Sequence, residues 1–121
     1  MARWLLALCL LQGCAPKTVQ HVTASWYGKE LRGNPTASGE RFRPSKRTAA
    51  HKTLPFGTVL KVTSVATGES VRVVINDRGP FVAGRELDLS RKAAKRIGLV
   101  DQGVGEVRYK VVGCKARYDD C

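Results

Sequence analysis

From Val22 onward the apolar residues fall in short groups broken by glycine and proline, which predicts strands rather than helices. "VTASWYG" is β-branched and aromatic and stops at Gly28. "TVLKVTSV" and "SVRVVIN" form a second and third strand, joined by the turn Ala66-Thr67-Gly68. In "EVRYKVVG" the alternation puts Val107, Tyr109 and Val111 on one face and Arg108, Lys110 and Val112 on the other. "KELRGNPTASGERF" is dense in turn residues and reads as a long irregular segment. One segment, "SRKAAKRIG", has helical spacing. Ser90 suits an N-cap, Ala93, Ala94 and Ile97 make an apolar stripe, and Gly98 suits the stop. Many short strands with one small helix predict a small closed barrel. No internal repeat or low-complexity tract interrupts the pattern.

The N-terminal residues follow a different rule. "MARWLLALCLLQGC" has a single charge, Arg3, an apolar run from Trp4 to Leu11, and Gly13 before Cys14. That layout is a secretory signal too short to span a bilayer, and its end resembles the bacterial lipoprotein signal. Three regions precede or frame the barrel in this reading. Residues 1–13 are the signal, 14–21 a tether lipidated at Cys14 and holding the chain to a membrane, and 22–113 the domain. Ala15-Pro16 after the lipid site looks like delivery to an outer membrane, facing the periplasm.

Export changes the meaning of charge and cysteine. Lys and Arg total 21 against 10 Asp and Glu, a net charge of +11 over 121 residues. Nucleic acid is the usual partner of so basic a chain, but outside the cytoplasm the polyanions are wall polymers, lipopolysaccharide and anionic lipid headgroups. Of the four cysteines, Cys9 leaves with the signal and Cys14 takes lipid. Cys114 and Cys121 are expected to form a disulfide that closes the tail at 114–121. His21 and His51 have no ligand spacing with either cysteine, so no metal and no cofactor is expected.

Candidate chemistry sits on four acidic or basic positions. Glu40 ends "TASGE", His51 closes "TAAH", Asp77 ends the strand "VRVVIN", and Asp88 lies in "LDLS". Each also has an ordinary structural reading: a solvated turn residue, a satisfied half-buried histidine, a turn cap paired with Arg78, and a charge at a helix N-terminus. Around Asp77, Gly79-Pro80 turns the chain, Phe81 offers an apolar face, and Arg78 and Arg85 can hydrogen-bond hydroxyls or carboxylates. Trp26 and Tyr27 can stack on a sugar ring, although a core aromatic is the commoner role.

The blocks "ASWYG", "TASGE.F", "TAAH.TLPFGT", "INDRGPFV.GR" and "LDLS..AA..IG" occur in that order, and together they resemble the rare lipoprotein A family over roughly residues 23–112. The resemblance implies a mainly β fold, a six-stranded double-psi β-barrel with one or two short helices. It also implies a lyase, an endolytic peptidoglycan lytic transglycosylase acting on glycan strands stripped of stem peptides; the chain itself is expected to be a monomer. Such an enzyme cuts the β-1,4 bond after N-acetylmuramic acid and leaves a 1,6-anhydro end. Its motifs put the functional aspartate, glutamate and histidine on Asp77, Glu40 and His51. "LDLS" resembles the segment of expansins, on the same barrel, that carries an aspartate needed for wall loosening. The expectation is Asp77 as acid/base, with Glu40, His51 and Asp88 in support. The acid must hold its proton near neutral pH, which an apolar or anionic neighbourhood achieves. A non-catalytic, expansin-like wall binder is the alternative.

Overall fold

The structure is a computed structural model that describes residues 18–28, 31–115 and 121. The signal and lipid site at 1–14 lie outside the described residues. Six strands and one short helix follow in chain order: β1 (Gln20–Trp26), β2 (Thr48–His51), β3 (Thr58–Ser64), β4 (Ser70–Asp77), β5 (Leu87–Leu89), α1 (Arg91–Arg96) and β6 (Gly105–Cys114). They close into a barrel in the order β1-β5-β2-β4-β3-β6, with β6 returning to β1. Two neighbour pairs are parallel, β1 with β5 and β2 with β4, and the other four are antiparallel. The mainly β, closed, six-stranded reading therefore holds, with one short helix among the described residues.

Alternation fills the barrel. On β3 every second residue is buried, Leu60 and Val62 among them, and β4 supplies Val71, Val73 and Ile75. Leu87 and Leu89 of β5 and Val107 of β6 complete the interior, and Ala93, Ala94 and Ile97 of α1 join the same cluster. Ser90 caps the helix as its sequence predicts: Ser90 Oγ accepts from Ala93 N at 3.3 Å. Its oxygen also accepts from Thr48 N at 3.3 Å, so the cap ties α1 to β2. No described helix is long and apolar enough to cross a membrane.

Three local expectations change. β1 begins at Gln20, within the stretch read as tether, because Gln20 and His21 pair with Tyr109 and Arg108 of the long β6. On β6 the expected faces hold through Tyr109 and then fail: Val111 is exposed and Val112 half-buried. Val111 still lies opposite the buried Leu60, and the register with β3 shifts just beyond it, where Val112 is the extra residue and the alternation ends. The segments "TAAH" and "LDL" are strands, β2 and β5, four and three residues long. Neither is long enough to show a period. The stretch at 31–42 is irregular as expected, with a single bridge between Pro35 and Arg41.

Candidate functional site

Those two short strands build the site. β5 lies between β1 and β2, pairing Ser25 with Asp88 and Ala50 with Asp88. β2 lies between β5 and β4, pairing Ala50 with Asp77 after a register shift between Ala49 and Ala50. Paired residues on neighbouring strands share a face, so Ser25, Asp88, Ala50 and Asp77 form one row across four strands. Leu87, Leu89 and Ala49 point into the core, and the row therefore runs along the outside of the barrel. Asp77 and Asp88 are both half-buried. Ala50, fully buried between them, contributes a methyl group and nothing larger.

The two carboxylates live in different surroundings. Asp77 accepts three hydrogen bonds: from Tyr27 Oη on Oδ2 at 2.8 Å, and from Ala37 N and Arg78 N on Oδ1 at 2.9 and 2.8 Å. Asp88 accepts one side-chain bond, from Ser25 Oγ at 3.0 Å. Burial pushes the Asp88 carboxyl above the ordinary carboxylate range. The Ser25 bond and the nearby Arg85 guanidinium oppose that shift, and the charge of Asp77 adds to it. Burial, the bond to Asp77 and the two carboxylate charges drive the Tyr27 hydroxyl upward, so it stays protonated and serves as a donor. One group can carry a proton while its neighbour is fixed as an acceptor.

The remaining sequence candidates are distributed around this row. The loop carrying Glu40 packs over the end of β4, with Ala37 N on Asp77 and Ser38 N on the Asn76 carbonyl at 3.1 Å. Glu40 itself takes a long bond from Ser38 Oγ, 3.4 Å, and lines a cavity with Arg41, Arg43, Lys46 and Arg47. Tyr27 meets Phe42 edge-on at 4.9 Å, which leaves its hydroxyl on Asp77. Trp26 packs partly against the core. Arg78 turns away from the row: its Nη1 donates to the carbonyls of Leu54 at 2.8 Å and His51 at 3.3 Å, and its guanidinium stacks 4.0 Å over Phe56. Phe81 is 85% exposed at the tip of the turn after β4. That turn needs Gly79, whose φ of 125° is closed to other residues.

His51 is not brought to the carboxylates. It follows Ala50 on β2 and so points to the opposite face, where its ring packs against Tyr109. His51 Nδ1 accepts from Thr53 N and Leu54 N at 3.1 and 3.0 Å, so the neutral ring carries its proton on Nε2, 3.2 Å from Tyr109 Oη. Burial holds its pKa below the usual histidine value, with Glu86 pulling the other way. This ring braces the turn between β2 and β3. Cys114 and Cys121 are disulfide-bonded at the far end of β6. Two members of the row, Ser25 and Ala50, carried no chemical signal in the sequence; only the strand pairing reveals them.

A closed six-stranded barrel with this mix of parallel and antiparallel pairs and an acidic row on its outer face defines a double-psi β-barrel protein. A family model described as lytic transglycolase matches residues 19–109, and the chain belongs to that family. It is 53% identical over 96 residues to a probable endolytic peptidoglycan transglycosylase RlpA of Synechocystis sp., covering 79% of this chain and 30% of the relative. It is 48% identical over 90 residues to the endolytic peptidoglycan transglycosylase RlpA of Campylobacter jejuni, covering 74% and 33%. The chain thus spans about a third of the length of these curated relatives. Among solved structures, an apo expansin of Clavibacter michiganensis superposes with a TM-score of 0.64 at 25% identity, covering 82% of this chain and 52% of the expansin.

Proposed function

We propose that this barrel is an endolytic peptidoglycan lytic transglycosylase that cleaves the β-1,4 bond between N-acetylmuramic acid and N-acetylglucosamine without water. The observation that carries the reading is the pairing of two unlike carboxylates across Ala50, one pushed toward its protonated form by burial and one held by three donors. The names of relatives near 50% identity support it. Asp88 is the acid in this mechanism, exchanging roles with the Asp77 of the sequence-based expectation. The Asp88 carboxyl gives its proton to the glycosidic oxygen as the anomeric C–O bond breaks. The Asp77 carboxylate, kept in place by Tyr27, Ala37 and Arg78, faces the positive charge that develops on the sugar. The muramic C6 oxygen then bonds to the anomeric carbon and its proton passes to the Asp88 carboxylate, giving a 1,6-anhydro end and restoring the acid. Phe81 and Arg85 contact the sugar. The His51 ring and the Glu40 loop position the walls of the groove.

The substrate in this proposal is glycan freed of stem peptides, and the protein works as a monomer held to an envelope membrane by lipid on Cys14. The signal-like layout of residues 1–14 supports the anchor. Incubation with purified stem-peptide-free strands, followed by mass spectrometry, tests the chemistry. Anhydromuramic ends that disappear with Asp88→Asn are expected. Reducing ends would mean hydrolysis and a different use of the second carboxylate. Tight binding with no products would favour the second reading, a non-catalytic wall-loosening barrel, for which the likeness to the expansin speaks.

A further inference from the structure

The outer face that carries the carboxylate row continues along β2 and β4 into a cavity of about 430 Å³. Thr48 and Val74, paired across these strands, form its floor, and Asn76, next to Asp77, forms its near wall. Thr48 is two residues from Ala50, roughly 7 Å along the strand, so the cavity adjoins the acidic row. Four exposed cations surround it: Arg41, Arg43, Lys46 and Arg47. Arg41 Nη1 is partly engaged by the Gly33 carbonyl at 2.8 Å, and Glu40 is the one acidic group in the lining. Two buried oxygens of the lining residues, Asn76 Oδ1 and Thr48 Oγ1, have no hydrogen-bond partner. The cationic character extends past the cavity, since Arg47 also borders a second hollow with Lys92, Lys95 and Arg96.

A cationic hollow beside a glycan-cutting site calls for a substrate that is anionic next to the bond being cut. Muramic acid meets that description in one state. Its lactyl group is a neutral amide while the stem peptide is attached and a free carboxylate once the peptide is gone. We infer that this cavity is a subsite for the free lactyl carboxylate of a neighbouring muramic acid, and that it is the physical basis of selection for stripped strands. The inference rests on the glycan-cleaving reading above. Guanidinium and ammonium groups bind a carboxylate through charge-assisted hydrogen bonds, and a stripped strand repeats that carboxylate at every disaccharide. Arg47 and the cations beyond it then meet the next one along.

The test is equilibrium binding by the full chain, in an Asp88→Asn background to prevent turnover. Two ligands are compared: stem-peptide-free strands, and the same strands after their lactyl carboxylates are converted to methylamides. Binding to the acid form is expected to be tighter by about tenfold and to weaken with salt. The double change Arg43→Gln/Lys46→Gln should remove that advantage while leaving methylamide binding within about twofold. Equal affinity for the two strands, or equal loss of both in the double variant, would overturn the subsite. Failure to bind either strand would overturn the glycan reading itself. Loss of binding to phosphatidylglycerol vesicles in the double variant, with glycan affinity intact, would assign these cations to a lipid surface and overturn the proposal.

Discussion

Asp77 and Asp88 face each other across the methyl group of Ala50, although one ends β4, the other sits in the middle of β5, and an exposed loop separates them in the sequence. Their charges interact, and the interaction raises the Asp88 carboxyl further than burial alone. The alkaline limb of the pH–rate profile should therefore belong to Asp88. Activity is present while Asp88 is protonated and is lost as pH rises through its raised pKa. Asp77→Asn removes the negative neighbour, so whatever activity remains should lose its alkaline limb at lower pH. Ser25→Ala removes a bond that favours the ionised form, so its limb should move to higher pH. Profiles of kcat/KM for the three proteins check this, and shifts of the same sign in both variants would exclude Asp88 as the titrating acid.

Ala50 makes a second demand. It is completely buried with a carboxylate on each side, so Ala50→Val places two methyl groups in the space between them. Overpacking of this kind costs about 1–3 kcal/mol, which the barrel can absorb. Cleavage should fall clearly below the parent rate, while thermal unfolding stays cooperative. An Ala50→Val protein with full activity would show that the two carboxylates need no direct view of each other.

The sequence made the long strands visible and left the site's construction hidden. β3 and β4 span seven and eight residues and alternate cleanly enough to be read from composition alone. β2 and β5 span four and three, too few for a period, yet they carry Ala50 and Asp88 and hold the row together. Asp77 stood out at the end of a strand before the Gly79-Pro80 turn, and Asp88 through the likeness of "LDLS" to the expansin segment. Their adjacency depends on β5 inserting between β1 and β2, a non-local pairing that no local pattern encodes. His51 stood out in "TAAH", but its surroundings were hidden in the same way. Once β2 is known to be a strand, its parity opposite Ala50 puts the ring against Tyr109.

That placement gives His51 a measurable effect on stability. Its folded-state pKa lies below the 6.5 of a free histidine because burial disfavours the charged ring. Above pH 6.5 the neutral ring is present in both states and its contribution is complete. As pH falls below that value the unfolded chain takes up a proton that the folded one refuses, so stability declines until the lowered folded pKa is passed. Urea midpoints between pH 8 and 4 should show this slope. His51→Asn, which can still accept at the Nδ1 position, should flatten it, and an unchanged slope would place the titration on another group.

The disulfide is expected to act on the fold and not on the chemistry. Cys114 and Cys121 close a short loop at the end of β6, where Cys114 pairs with Thr58 of β3, away from the β1, β5, β2 and β4 row. Closing so short a loop contributes about 2–3 kcal/mol. The double change Cys114→Ser/Cys121→Ser should lower the denaturant midpoint accordingly and leave the glycan cleavage rate within about twofold of the parent. A large loss of rate at temperatures where the variant is fully folded would connect the tail to the groove.

Phe81 offers the most direct check on where substrate lies. Its ring is 85% exposed, so the core gains little from it, and Phe81→Ser should leave unfolding within about 0.5 kcal/mol of the parent. An exposed aromatic at the tip of the turn that begins at Asp77 is well placed to cover the apolar face of a sugar, and a contact of that kind is worth about 1 kcal/mol. KM for glycan should therefore rise roughly fivefold with kcat little changed, since the contact is made equally in ground and transition states. If kcat falls and KM does not, Phe81 helps shape the transition state. Unchanged kinetics would move the bound strand to the other side of the row, toward Thr48 and the cationic cavity.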